Sequence, residues 1–130
     1  MDYEQDYIMR MVRDMARMIG KMLLGRENPE YVLPEKEDAY GESDRMYLHL
    51  TALADAGEIN QAENELSDDL EGGSGRSGEL STALGFYMHI NEFSNDFLDE
   101  HDYSREEIYQ GVEDLSARFG VSGLNIHLPN

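Results

Sequence analysis

Residues 6–25 read DYIMRMVRDMARMIGKMLLG and hold five of the chain's eight methionines and four of its ten basic side chains. At ~100° per residue, Ile8, Met11, Val12, Met15, Met18, Ile19 and Met22 share one face, which Met9, Ala16 and Leu23 widen to about half the circumference. Arg10, Arg13, Arg17 and Lys21 form a narrow stripe on the other side. The pattern predicts an amphipathic helix over residues 2–24. Gly25 is the expected stop, because glycine tolerates the left-handed conformation that ends helices.

Working outward, residues 26–42 carry two prolines and many charges and read as an irregular connection. Tyr31, Val32 and Leu33 within it form a short apolar segment expected to tuck onto the body. Residues 43–70 predict a helical hairpin. Ser43 or Asp44 caps a helix that buries Met46, Tyr47, Leu50, Leu53 and Ala54. Gly57 stops that helix, and Asn60 with Glu63 has the spacing of a capping box for the next, which runs through Ala62, Leu66 and Leu70. Residues 71–79, EGGSGRSGE, have the composition of a flexible linker. One long helix is expected from Leu80 through Leu84, Tyr87, Met88, Ile90, Phe93 and Phe97 to Leu98. Ser104 and Glu107 form a second capping box, opening a last helix with Ile108, Val112, Leu115 and Phe119 that ends at Gly120. The tail, residues 121–130, is too short and glycine-broken for a helix. Its Val121, Leu124, Ile126 and Leu128 suit an extended run across the bundle. No convincing strand pair occurs, so the expectation is an all-α bundle of about five helices forming one domain over residues 1–130.

Composition narrows the function classes. The chain has 28 acidic and 10 basic residues, a formal net charge of −18. Residues 1–26 hold five basic and four acidic side chains, net +1, whereas residues 27–130 hold five basic and 24 acidic, net −19. Such a body repels nucleic-acid phosphates and anionic lipid, so neither is an expected partner. The absence of cysteine removes disulfides, thiolate metal sites and cysteine nucleophiles, and fits a reducing cytoplasm. The start lacks a basic cap before an unbroken apolar run, so no secretory signal is expected. Arg10, Arg13, Arg17 and Lys21 interrupt the first helix too often for a membrane span.

The turn Gly57-Glu58-Ile59-Asn60-Gln61-Ala62 resembles that of a tetratricopeptide repeat: a glycine ends one helix, a large residue follows two places on, and a small alanine lets the second helix pack closely. The likeness covers one hairpin, whereas a solenoid needs about three repeats. Over most of its length the chain also resembles a family of small uncharacterised proteins from Gram-positive bacteria. The shared segments are Gln5 to Arg10 with Met15 and Arg17, the Ala56 to Asn60 turn, and Phe97 to Glu107. This resemblance implies an all-helical bacterial protein, with no established activity to carry over.

Few constellations carry chemistry. Gly73 to Gly78 matches G-x-G-x-x-G but lacks the preceding strand and βαβ unit of a dinucleotide site, and linker composition explains it. Asp96, Asp99, Glu100, His101 and Asp102 crowd before the last helix, yet the glycine turn and bidentate glutamate of a calcium loop are missing. His89 and Glu92 share a helix face with no second such pair. His49 and His89 fall near apolar faces, as core or boundary residues. No cofactor or metal is expected, and Asp99, His101 and Asp102 are the runner-up site, for a metal-dependent enzyme.

The first helix has three readings: core of its own bundle, docking surface, or basic amphipathic helix on a membrane surface. The acidic body and Asp2, Glu4 and Asp6 argue against the last. Methionines adapt to irregular surfaces. A helix of 23 residues is ~35 Å long against ~18–23 Å for the hairpin helices, so part of its apolar face should stay uncovered. The expectation is a non-catalytic cytoplasmic interaction module. It pairs as a homodimer, or docks another helical protein, through Met11, Met15, Met18, Ile19 and Met22, with Arg13 and Arg17 meeting acidic residues.

Overall fold

In a computed structural model that describes residues 2–73 and 77–120, six α-helices follow one another. They are α1 (Asp2–Ile19), α2 (Glu42–Asp55), α3 (Ile59–Gly72), α4 (Ser77–Asn91), α5 (Asn95–Glu100) and α6 (Arg105–Arg118). A π turn, Gly20–Leu24, continues α1, and a 3-10 turn, Glu37–Ala39, precedes α2. No strand occurs among the described residues. The all-α expectation therefore holds, with six helices where about five were expected. The tail at 121–130, including His127, and linker residues 74–76 lie outside the described residues.

Helix α4 is the centre, because it is apolar nearly all round and only His89 between Leu80 and Asn91 escapes full burial. It packs against α1, α2 and α6; α2 packs in turn on α3, and α6 on α1. The core joins Val12, Ile19, Leu50, Leu66, Leu84, Phe86, Ile90, Leu98, Ile108 and Val112, each almost wholly buried. Gly111 permits the close approach of α6 to α4: a Cβ there would collide with the ring of Tyr87.

The first helix forms as its periodicity dictates. Gly25 ends it in the left-handed region (φ 66°), and its N–H donates to the Gly20 carbonyl. The hairpin also forms, but its caps differ from expectation. Gly41, not Ser43 or Asp44, is the N-cap of α2; the Asp44 carboxylate accepts the Gly41 N–H at 2.8 Å and the Tyr31 hydroxyl at 2.7 Å. These two donors, the Gly41 N–H foremost, hold the Asp44 carboxyl below its usual range. Asn60 does not cap α3, whose N-cap is Glu58, two residues earlier. The Asn60 amide donates instead to the Asp102 carbonyl at 3.2 Å, tying the hairpin turn to the α5–α6 corner. Tyr31 stacks on Tyr47 with centroids 4.2 Å apart, as a tucked segment requires, whereas Val32 is 74% exposed. The linker is shorter than expected, since α3 runs to Gly72 and α4 begins at Ser77.

The expected continuous helix from Leu80 to Leu98 is broken at residues 92–94. The Glu92 and Phe93 N–H groups donate three residues back, to His89 and Ile90, which tightens and ends α4. Ser94 then caps α5 by accepting the Phe97 N–H at 3.1 Å. In an unbroken helix the Asn91 and Phe93 carbonyls would accept from residues 95 and 97. Here they accept from Arg105 instead, at 2.6 and 3.0 Å. The same guanidinium donates to the Asn95 side chain at 2.6 Å. Arg105 is 3% exposed and Asn91 wholly buried, and the Asn91 amide donates onward to the Met9 carbonyl of α1 at 3.1 Å. The Ser104–Glu107 capping box forms as expected and sets Arg105 at the first position of α6.

Two predictions follow from this packing. Arg105→Ala should lower the unfolding free energy by about 3 kcal/mol, because it leaves the buried Asn91 carbonyl and two part-buried acceptors unpaired. Arg105→Lys should recover less than half of that, since one ammonium cannot reproduce the forked geometry; urea titration of the three proteins measures both. The second concerns alkaline pH. Tyr87 donates to Glu63 at 2.6 Å, and the Tyr103 hydroxyl lies near the same carboxylate. Burial, then the Glu63 charge, raises both phenols far above their usual value, and burial with the Asp44 hydrogen bond pushes Tyr31 up to about 12. The folded state thus holds protons that unfolded tyrosines release near pH ~10. This stability is complete below that pH and is lost as pH rises toward the folded values. The urea midpoint should fall as pH rises from ~10 to ~12, and fall less steeply in Tyr87→Phe.

Candidate interaction surface

Packing of α6 and α4 on α1 covers much of the apolar face that the helix lengths left uncovered in the sequence-based expectation. The methionine set consequently divides. Met15 (4% exposed) and Ile19 (0%) are core side chains with Val12 and Ala16, beyond the reach of a partner while the fold is intact. Met11 is half-buried, and Met18 (42%) and Met22 (60%) are exposed. Six large apolar side chains among the described residues are exposed, and four of them, Tyr7, Met18, Met22 and Leu23, lie on α1 or its π turn. The exposed apolar surface is therefore concentrated on this one element.

Helical geometry arranges these side chains in a line. Tyr7, Met11 and Met18 recur at steps of four and seven, which keeps them within ~40° around the axis. An α-helical continuation would put Met22 within ~20° of buried Met15. The π turn holds one more residue per turn, so the chain lags in rotation. This lag accounts for Met22 lying outward at 60% exposure while Leu24 packs against the core. Tyr7 was missed in sequence because it stands at the edge of the apolar arc, and nothing local marks Tyr109 of α6 as its neighbour. Ile8, Met11, Tyr109 and Glu106 line an apolar groove of about 260 Å³ between α1 and α6, beside the line.

Charge flanks the same line. Arg10, Arg17 and Lys21 are exposed. Arg17 lies 3.3 Å from Asp14 of its own helix. Arg13 faces away and pairs with Glu92 at 2.8 Å, joining α1 to the end of α4. Both arginines thus meet acidic residues inside the protein. An apolar line beside exposed cations suits an amphipathic helix bearing carboxylates.

The Asp/His cluster is a packing corner. The His101 ring packs at a tilt of 55° on Phe97 (centroids 4.5 Å apart) and lies against Gly57 of the hairpin turn, where a Cβ would collide with it. Asp102 takes the left-handed backbone (φ 57°), and its N–H donates to the Asp99 carbonyl at 3.3 Å. No three His, Asp or Glu side chains converge at metal-holding distance among the described residues. His49 and His89 are boundary residues, contacting Glu65 at 2.6 Å and Asp55 at 2.7 Å. A depression of about 750 Å³ lies over the start of α2 and is lined by Ser43, Asp44, His49 and Thr82 among others. No described helix is long and apolar enough to cross a membrane.

A model of a family of unknown function, DUF6483, matches residues 2–120, and the chain belongs to that family. No curated protein and no solved structure matches it.

The division of the methionines is directly measurable. Met15→Glu should destabilise the fold by about 3 kcal/mol or more, because it buries an unpaired carboxylate. At concentrations where the wild type is monomeric, Met18→Glu and Met22→Glu should each stay within about 0.5 kcal/mol of it in urea titrations.

Proposed function

We propose that the protein is a non-catalytic cytoplasmic interaction module that docks a helix along the outer flank of α1. The observation that carries this reading is the concentration of exposed apolar side chains on that one element, in line and beside exposed cations. Most of α1 is already fixed by α4 and α6, so binding orders little new backbone, which favours affinity. Methionines supply a surface that adapts to a helix without a unique fit. A membrane-surface role draws no support from a body of net charge −19 behind the helix. Metal-dependent chemistry at Asp99, His101 and Asp102 draws little, since Asp99 and Asp102 meet through turn backbone and His101 packs on Phe97.

The test uses a partner recovered from native cells, purified to homogeneity and titrated against pure protein. Met18→Glu combined with Met22→Glu should weaken binding at least tenfold at unchanged stability, since the new carboxylates would be desolvated without a counter-charge. Equal binding by wild type and the double variant would remove α1 from the interaction.

A further inference from the structure

We infer that the occupant of this flank is a second copy of the chain, its α1 laid antiparallel on the first about a two-fold axis between Asp14 and Met15. The inference rests on reading the α1 flank as a docking surface and adds the partner, the direction and the register.

Spacing carries the first part of the argument. Tyr7 and Met22 stand equally far from the midpoint between Asp14 and Met15, and so do Met11 and Met18. Reversing the helix therefore lays the line onto itself, with Tyr7 against Met22 and Met11 against Met18. A two-fold contact requires that self-complementarity, because each residue meets its partner twice. The groove of Ile8, Met11 and Tyr109 then lies where Met18 of the second copy arrives.

Charge decides the direction. The first turns of α1 carry Glu4 and Asp6, both exposed, followed by Arg10, while Arg17 stands in its last turn and Lys21 on the π turn, also exposed. Antiparallel pairing sets Lys21 opposite Ile8, with Asp6 two residues, ~3 Å, to one side, Arg10 as far to the other, and Glu4 two residues beyond Asp6. It also sets the helix dipoles head to tail. Parallel pairing would instead set every charge level with its own copy, Glu4 by Glu4, Asp6 by Asp6 and Lys21 by Lys21. Asp14, next to the axis, has Arg17 of its own helix as counter-charge. Two bodies of net charge −19 repel one another, so identical copies approach best through the segment of net charge +1, residues 1–26, that contains α1.

A chain without cysteine makes the register easy to read. Met11→Cys and Met18→Cys proteins, one lengthened by a tag, are mixed at intact helicity and oxidised. Helix axes ~8–10 Å apart bring facing Cα atoms to ~4–5 Å, at the short end of disulfide range, whereas identical residues are offset by ~10 Å along the axis. The mixed disulfide should exceed either homodisulfide at least tenfold, and Tyr7→Cys with Met22→Cys should behave alike. Homodisulfides in excess would overturn the antiparallel register. Sedimentation of the wild type from about 1 to 500 μM should show a monomer–dimer equilibrium that Met18→Glu abolishes. A monomer throughout would overturn the second copy as occupant. If a different purified protein still loses binding on Met18→Glu with Met22→Glu, the docking flank stands and only this inference falls.

Discussion

The guanidinium of Arg105 holds together the three ends that meet at the centre of this domain. It accepts nothing and donates to the Asn91 and Phe93 carbonyls and the Asn95 side chain, all around the break between α4 and α5. Among the described residues no carboxylate accepts a hydrogen bond from it, and carbonyl dipoles take the place of water around the charge. Burial pulls its pKa down, and the charges of Glu92 and Asp6 act the other way. Arginine remains a cation under such strain, whereas lysine readily loses its proton when buried. Through the Asn91 amide the network reaches the Met9 carbonyl, so the central helix break and the placement of α1 share one set of bonds.

With its position fixed, α1 has two unlike faces. The inner one, with Val12, Met15, Ala16 and Ile19, is ordinary core. The outer flank keeps Tyr7, Met18 and Met22 in water. The π turn sharpens that contrast by turning Leu24 inward and Met22 outward, a geometry an unbroken α-helix of the same sequence would not give. Burying Met22 would have extended the core; leaving it out extends a surface.

Signals carried within a few residues were legible in the sequence. The periodicity of α1, the glycine stops at Gly25 and Gly57 and the Ser104–Glu107 box all stand where local chemistry puts them. Partners far along the chain were not legible. Asp44 has the chemistry of a cap, but its partners are the Gly41 N–H and Tyr31, and the latter arrives from the preceding connection. Asn60 looked like a cap and reaches instead to Asp102. Arg105 sat unnoticed inside a capping box, because nothing local shows that its side chain turns inward to break the helix at residues 92–94. The candidate surface was half legible: the methionines gave the face, but only the packing of α6 separated Met15 and Ile19 from Met18 and Met22.

The pairing of α1 with α6 has a consequence for the chain's history during synthesis. α1 ends at Ile19 and α6 begins at Arg105, so α1 is made about 86 residues before the helix that covers it. At ~5–20 residues per second, the part of its apolar face that α6 covers waits for roughly 4–17 s. The α4–α6 end can close early, because Arg105 reaches its acceptors only 10 to 14 residues back. The bond from Asn91 to Met9 spans 82 residues and closes late. The nascent helix is thus most exposed to other proteins in the cell before the domain exists, and its basic stripe keeps it soluble while it waits.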